Sequence, residues 1–312
     1  MLHNFLLCLN SIAPIFLLII LGSILKKINI IDSGFTSKAN NLVFRAALPC
    51  MLFKDIATIN IASRFDARLV LTAVLVTVIM FFVSLILSIA VGDDKRKAAF
   101  AQGVFRSNYA ILGLPLTKAF FPEEVAVNAS VILAICVPLF NVLSVIILTK
   151  FLCSKGGLGS TLLGIAKNPL IIAAAAGALV SLVNIPVPQM IMTLVNYLSQ
   201  LCIPLSLIVI GGSFVMNKAI LTVRLAVVAS LIKTVITPLV FIFPAHLAGI
   251  SSLKLGVLYI FLAAPTAVTS YTMTRNMGGD YDLSGNIVMI STAMSFFSIF
   301  AGMFIMKTIG II

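Results

Sequence analysis

Arg106, Ser107 and Asn108 lie side by side inside an apolar stretch that continues Tyr-Ala-Ile-Leu-Gly113-Leu-Pro115. A central arginine in a lipid-facing helix costs about 2.5–3.5 kcal/mol. Gly113 and Pro115 then interrupt the backbone ladder, which at membrane depth is tolerated only beside protein or a water-filled cavity. The chemistry on offer is recognition rather than catalysis. A carboxamide such as Asn108 presents two N–H donors and one acceptor, so it can hold a carboxylate without a fixed charge. A second cluster lies 157 residues beyond Asn108, at Pro265 in Ala264-Pro265-Thr266-Ala-Val-Thr269-Ser270. Two interrupted apolar segments at corresponding places predict a binding site built from half-helix ends. Asn141, three residues after Pro138, is a further polar candidate. Arg45, Arg106 and Lys233 give the apolar segments a positive bias, and no acid lies clearly mid-span; Asp55 comes nearest. Positive charge and helix N-termini suit an anion. For Arg45 and Lys233 the bland alternative is a snorkelling side chain.

Elements long enough to cross a bilayer must carry these residues. The chain is 61% hydrophobic and 10% charged, with a mean hydropathy of +1.20, against roughly 45–50% apolar and 25% charged in soluble domains. Apolar segments fall at about 5–25, 39–59, 67–91, 98–120, 125–149, 166–185, 190–215, 221–248, 253–276 and 284–308. That pattern predicts an all-α membrane protein with about ten transmembrane helices. The run 12–25 is preceded by no Lys or Arg and followed by Lys26 and Lys27. This reverses the order of a secretion signal and predicts a retained first span.

An internal repeat organises the spans. Pro14 and Pro169, Gly22 and Gly177, Asn41 and Asn196, and Pro49 and Pro204 are all 155 residues apart. The predicted units are 1–153, a linker at 154–165, and 166–312. Five spans per unit place the second upside down relative to the first, and segments four and nine are the interrupted helices. With both termini outside, twelve Lys and Arg face the cytoplasm, among them Lys26, Lys27, Arg96, Lys97, Lys150, Lys155 and Arg275. Six face out: Lys54, Arg64, Arg68, Lys118, Lys254 and Lys307. That imbalance predicts a multi-pass inner-membrane protein with both termini outside the cytoplasm.

Several function classes are excluded. The net charge of +12 comes from short loops, not a solvated basic fold, so nucleic acid is not expected. The five cysteines are scattered, with no CxxC and no nearby histidine, so no metal site, disulfide framework or cofactor is expected. An intramembrane enzyme needs a nucleophile–base pair or paired acids inside the membrane, and neither pattern is present. Broken helices in both halves fit a channel poorly. The expected activity is a secondary transporter of a small organic anion.

The stretch Phe105-Arg-Ser-Asn-Tyr-Ala-Ile-Leu-Gly-Leu-Pro-Leu116 resembles the fourth-span signature of the auxin efflux carrier family. Leu48-Pro49, Lys167-Asn-Pro169 and Gly278-Gly-Asp280 resemble its other landmarks, and the likeness covers the whole chain. The chain looks like a short bacterial member, of the group called malate or malonate permeases. The resemblance implies a ten-helix fold shared with the bile acid:sodium symporters, in which spans four and nine are broken and cross at the centre. It also implies a scaffold panel of spans 1, 2, 6 and 7, a moving transport domain of spans 3–5 and 8–10, and homodimers. Asn108, the backbone around Pro115 and Pro265, and Asn141 would then hold the substrate carboxylate. Ser107, Arg106, Thr266 and Thr269 complete the candidate set. The competing reading is a sodium-coupled symporter of the bile-acid type. It requires an acid at the second crossing, where this chain has Ala264-Pro265-Thr266.

Overall fold

The computed structural model describes residues 2–58, 66–152, 167–183, 185–213 and 220–311. The linker expected at 154–165 falls outside the described residues. Among the described residues the backbone is helical throughout, apart from turns, short extended links and one isolated β-bridge. In chain order come α1 (Leu2–Lys27), α2 (Ser33–Leu42), π1 (Val43–Ala47), α3 (Leu48–Ala57) and α4 (Ala67–Ser88). Next are α5 (Asp94–Phe105), π2 (Tyr109–Gly113), α6 (Leu114–Phe120), α7 (Glu123–Leu152), α8 (Pro169–Val183) and α9 (Gln189–Ser213). The last are α10 (Ile220–Leu231), π3 (Ile232–Ile236), α11 (Thr237–Leu247), α12 (Ser252–Ala263), α13 (Thr269–Asn276) and α14 (Tyr281–Thr308).

The scarce acids start several of these helices. Asp32, Asp66, Asp93 and Asp280 each accept hydrogen bonds from the first-turn N–H groups of α2, α4, α5 and α14. Four of the nine acids are thereby helix caps, which is why so few are free for other work.

The three π turns among the described residues share one cause. Pro49, Pro115 and Pro238 each lie two residues beyond a π segment. A proline inside a helix removes one donor and crowds the carbonyl four residues back. A wider turn relieves that crowding: Leu48, Leu114 and Thr237 donate to carbonyls five residues back, at Val43, Tyr109 and Ile232. The carbonyl of Thr234, orphaned by Pro238, accepts from Ser298 Oγ instead.

Among the described residues, five helical segments are long and apolar enough to span a bilayer: Ala67–Ser88, Val131–Leu152, Gln189–Ser213, Thr222–Leu247 and Tyr281–Thr308. Their outer faces are greasy, with Leu71 66% and Met190 86% exposed, while Thr77, Ser84, Asn141 and Ser206 are buried. This reverses the soluble arrangement and is what lipid demands. Helices in lipid associate by close packing of small residues. A Cβ on Gly22 would lie 2.2 Å from the Ile208 carbonyl oxygen, and one on Gly211 1.9 Å from that of Ile19. A Cβ on Gly177 would lie 2.9 Å from the Phe53 carbonyl oxygen. The contacts Gly22–Ile208 and Gly177–Phe53 are reciprocal, because Gly22 and Gly177, and Phe53 and Ile208, are both 155 residues apart. The repeat read from the sequence is thus also a repeat of contacts.

Through these seams α1 packs on α9, α3 on α8, and α9 on α2 and α3. A second group forms around α4, α5 and α7, with α10, α12 and α14 packed against it and each other. Helix α13 lies between the groups, touching α2 and α9 on one side and α5, α7 and α14 on the other.

Candidate functional site

The two interruptions meet. Helix α5 stops at Phe105 because Arg106 turns extended, at φ −81° and ψ 118°. Helix α12 stops at Ala263, where Ala264 has φ −57° and ψ 142°. The freed strands pair as an antiparallel bridge between Ser107 and Thr266, and the Asn108 N–H donates to the Pro265 carbonyl at 2.7 Å. The rest of the crossing is also satisfied. Thr266 Oγ1 donates to the Gly103 carbonyl at 2.7 Å, and the Thr266 N–H donates to Ser291 Oγ at 3.1 Å. Tyr109 wedges edge-on between Phe140 and Phe261, with ring centroids 5.0 and 4.5 Å away.

Beyond the bridge the chain re-enters helix on both sides, so the N-terminal ends of π2 and α13 converge. Asn108 caps the first, its Oδ1 accepting from the Ile111 N–H at 3.3 Å. Its Nδ2 is buried and has no partner. Beside it, the Arg106 guanidinium is 3% exposed. Nη2 donates to Asn141 Oδ1 at 2.7 Å and to Thr269 Oγ1 at 2.6 Å; Nη1 donates to Ser144 Oγ at 3.1 Å and approaches the Met273 sulfur. Nε is buried and unpartnered. All these partners are neutral, so a full charge stands inside the fold with no carboxylate against it among the described residues.

Arg106, Ser107, Asn108, Asn141 and Thr269 line one cavity of about 40 Å³, whose other walls include Met51 and Ile203. That volume has room for about three water molecules. Met51 on α3 and Ile203 on α9 belong to the opposite helix group, so the cavity sits where the two groups face each other.

The remaining sequence candidates are placed differently. Thr266 pairs with Ser107 in the bridge and Pro265 accepts from the Asn108 N–H, and neither lines the cavity. Pro115 is the second residue of α6, past the π turn, so the break comes earlier, at 106–108. Arg45 is exposed on π1 and does not line the cavity. Lys233 is 2% exposed, and its Nζ donates to the Leu262 carbonyl at 2.8 Å, in the last turn of α12. It compensates the negative end of that half-helix. The sequence reading missed Ser144, Gln102, Thr274 and Met273, which surround Arg106 and its neighbours. Gln102 Oε1 accepts from Thr274 Oγ1 at 2.7 Å. Ser144 follows Asn141 by three residues, the spacing of one helix face, and that was its available signal.

The family model for membrane transport proteins matches this chain twice in succession, over residues 7–158 and 156–301. The chain belongs to that auxin efflux carrier-type membrane transport family. An uncharacterized transporter of Methanocaldococcus jannaschii is 22% identical over 299 residues, covering 92% of this chain and 95% of the relative. An uncharacterized transporter of Methanothermobacter thermautotrophicus is 22% identical over 293 residues, covering 93% and 95%. The double match agrees with the 155-residue repeat. Family and relatives together make this family member a multi-pass membrane protein and a transporter.

Proposed function

We propose that this family member is a secondary transporter that moves a small organic anion, a carboxylate, across the cytoplasmic membrane by alternating access. Its ten spans form two inverted repeats of five, with both termini outside. Spans 1, 2, 6 and 7 (α1, α2–α3, α8 and α9) act as the scaffold panel of a homodimer. Spans 3–5 and 8–10 carry the crossing as the moving transport domain.

One observation carries the reading. A buried guanidinium with only neutral partners shares a cavity with an unpartnered carboxamide Nδ2, at two converging helix N-termini. An unmet buried donor costs about 1–3 kcal/mol, and an uncompensated buried charge more. A carboxylate on Asn108 Nδ2 and Arg106 Nε relieves both. The cavity is too small for most organic acids as it stands, so binding requires the wall of Met51 and Ile203 to draw back. Such separation of the two helix groups is the motion that alternating access needs.

The test is a thermal-shift screen of purified protein against dicarboxylates, indole acids and amino acids, each acid paired with its neutral amide. The expected result is stabilisation by an acid and not by its amide. Equal stabilisation by the amide refutes an anion site.

A further inference from the structure

Helix α13 carries polar residues around most of its circumference, and its two faces have different partners. Thr269, Met273 and Thr274 face Arg106 and Gln102, on the crossing side. Thr272, Arg275 and Asn276 face α2 and α9. Thr272 Oγ1 lies 3.1 Å from Ser206 Oγ. Ser206 already donates to the Cys202 carbonyl at 2.6 Å, so Thr272 is the donor of that pair. Asn40 Nδ2 reaches the Thr272 carbonyl at 3.4 Å, and Asn276 Nδ2 donates to the Asn40 carbonyl at 3.1 Å. Arg275 Nη1 donates to Ser213 Oγ at 2.6 Å, and Nη2 reaches Thr36 Oγ1 at 3.4 Å.

We propose that this second face of α13 is a polar latch that holds one end state of the transport cycle. The inference rests on the reading that the two helix groups move against each other. The cavity end of α13, at Thr269, faces Met51 and Ile203, which are apolar and can part without breaking a hydrogen bond. The far end, at Thr272–Asn276, is bonded to the opposite group through five contacts, none of them an ion pair. Neutral or singly charged bonds of this kind hold the interface by their number while each remains easy to exchange for water. Ser213 and Ser206 are seven residues apart on α9, two helical turns, so they share one face and present hydroxyls along α13's side. The latch residues do not line the cavity, whose walls from the opposite group include Met51 and Ile203. Gly278, at φ 84°, ends α13 directly after the latch residues and lets the chain turn into α14. The latch therefore sits at the tip of a short helix whose other end is the binding site. Breaking it frees the helix to follow the crossing.

The test needs no substrate. In a cysteine-free background, Ser206→Cys and Thr272→Cys are joined by mild oxidation in reconstituted vesicles. Met51→Cys serves as the reporter in the cavity wall, labelled by a membrane-impermeant methanethiosulfonate from either side. With the cross-link in place, the reporter is expected to label from one side only, and reduction restores labelling from the other. Labelling from both sides with the cross-link intact, or failure of the pair to cross-link, overturns the latch. Arg275→Gln with Asn276→Ala provides a second, unlinked readout. It is expected to raise labelling from the side that the cross-link closes by at least threefold, and an unchanged ratio overturns the proposal. Neither result depends on which anion is bound, so the latch can fail while the anion site stands. The reverse is equally readable.

Discussion

Asn108→Ala separates the two jobs that one side chain performs. Its Oδ1 accepts from the Ile111 N–H at 3.3 Å, and its Nδ2 is buried without a partner. Loss of the cap costs typically about 1 kcal/mol of stability, and the 3.3 Å geometry places this cap at the weak end. Loss of a hydrogen bond to an ionised carboxylate costs about 1.5–3 kcal/mol. At about 1.4 kcal/mol per decade, affinity falls roughly ten- to hundredfold. The assay is calorimetric titration of purified protein with the acid that gives the largest thermal shift, alongside the unliganded melting temperature. Asn108→Asp is the companion variant. It keeps an acceptor for the cap but turns the cavity-facing donor into an anion, so it should fold like the parent and bind no acid. If Asn108→Ala binds as tightly as the parent, the site has been placed at the wrong residues.

Arg106→Lys keeps the charge but loses the planar fork that reaches Asn141, Thr269 and Ser144 together. Retained binding with lost transport in proteoliposomes would show that the fork holds the crossing, and unchanged transport would refute any special role for it. Replacing sodium by potassium or choline should leave transport within tenfold, because the Ala264–Thr266 link carries no acid; a larger loss moves the reading to the symporter. An engineered cysteine at Ser160 should label from outside only after cells are lysed, and labelling of intact cells would invert the topology. Asp66 Oδ2 meets Lys254 Nζ at 2.6 Å, and that bond, with the N–H groups of Leu69 and Arg68, holds its carboxyl below the usual carboxylate range. The contribution is therefore present above the unfolded carboxylate pKa and lost as pH falls through the lower folded value. Asp66→Asn should flatten the acid limb of the melting-temperature profile by the small amount typical of a pair near the surface, under about 1 kcal/mol; an unchanged limb refutes this.

The crossing was legible because it breaks a composition rule. Arg106, Ser107 and Asn108 do not belong in a lipid-facing helix, and the repeat offset points from Asn108 to the residue that its N–H in fact meets, Pro265. The neighbours of Arg106 were less legible, since Ser144, Thr274 and Met273 are ordinary residues until the fold brings them together. Arg45 and Lys233 look alike in sequence, each a lone cation inside an apolar run. Only packing separates them, leaving Arg45 exposed and turning Lys233 onto the Leu262 carbonyl. The π turns left one trace, a proline two residues on, which reads equally well as a kink. Pro115 reads from the sequence as part of the break, whereas in the fold it serves the turn after it.

The reciprocal glycine seams have a consequence for how the chain is made. Gly22 needs the backbone at Ile208, and Phe53 needs Gly177. Neither close approach can form until the chain has been made past Gly177 for one and Ile208 for the other, so the first repeat waits in the bilayer with its tightest surfaces unmatched. Each half is an incomplete object whose missing surface is the other half. Two separately synthesised halves are therefore expected to find each other through these seams.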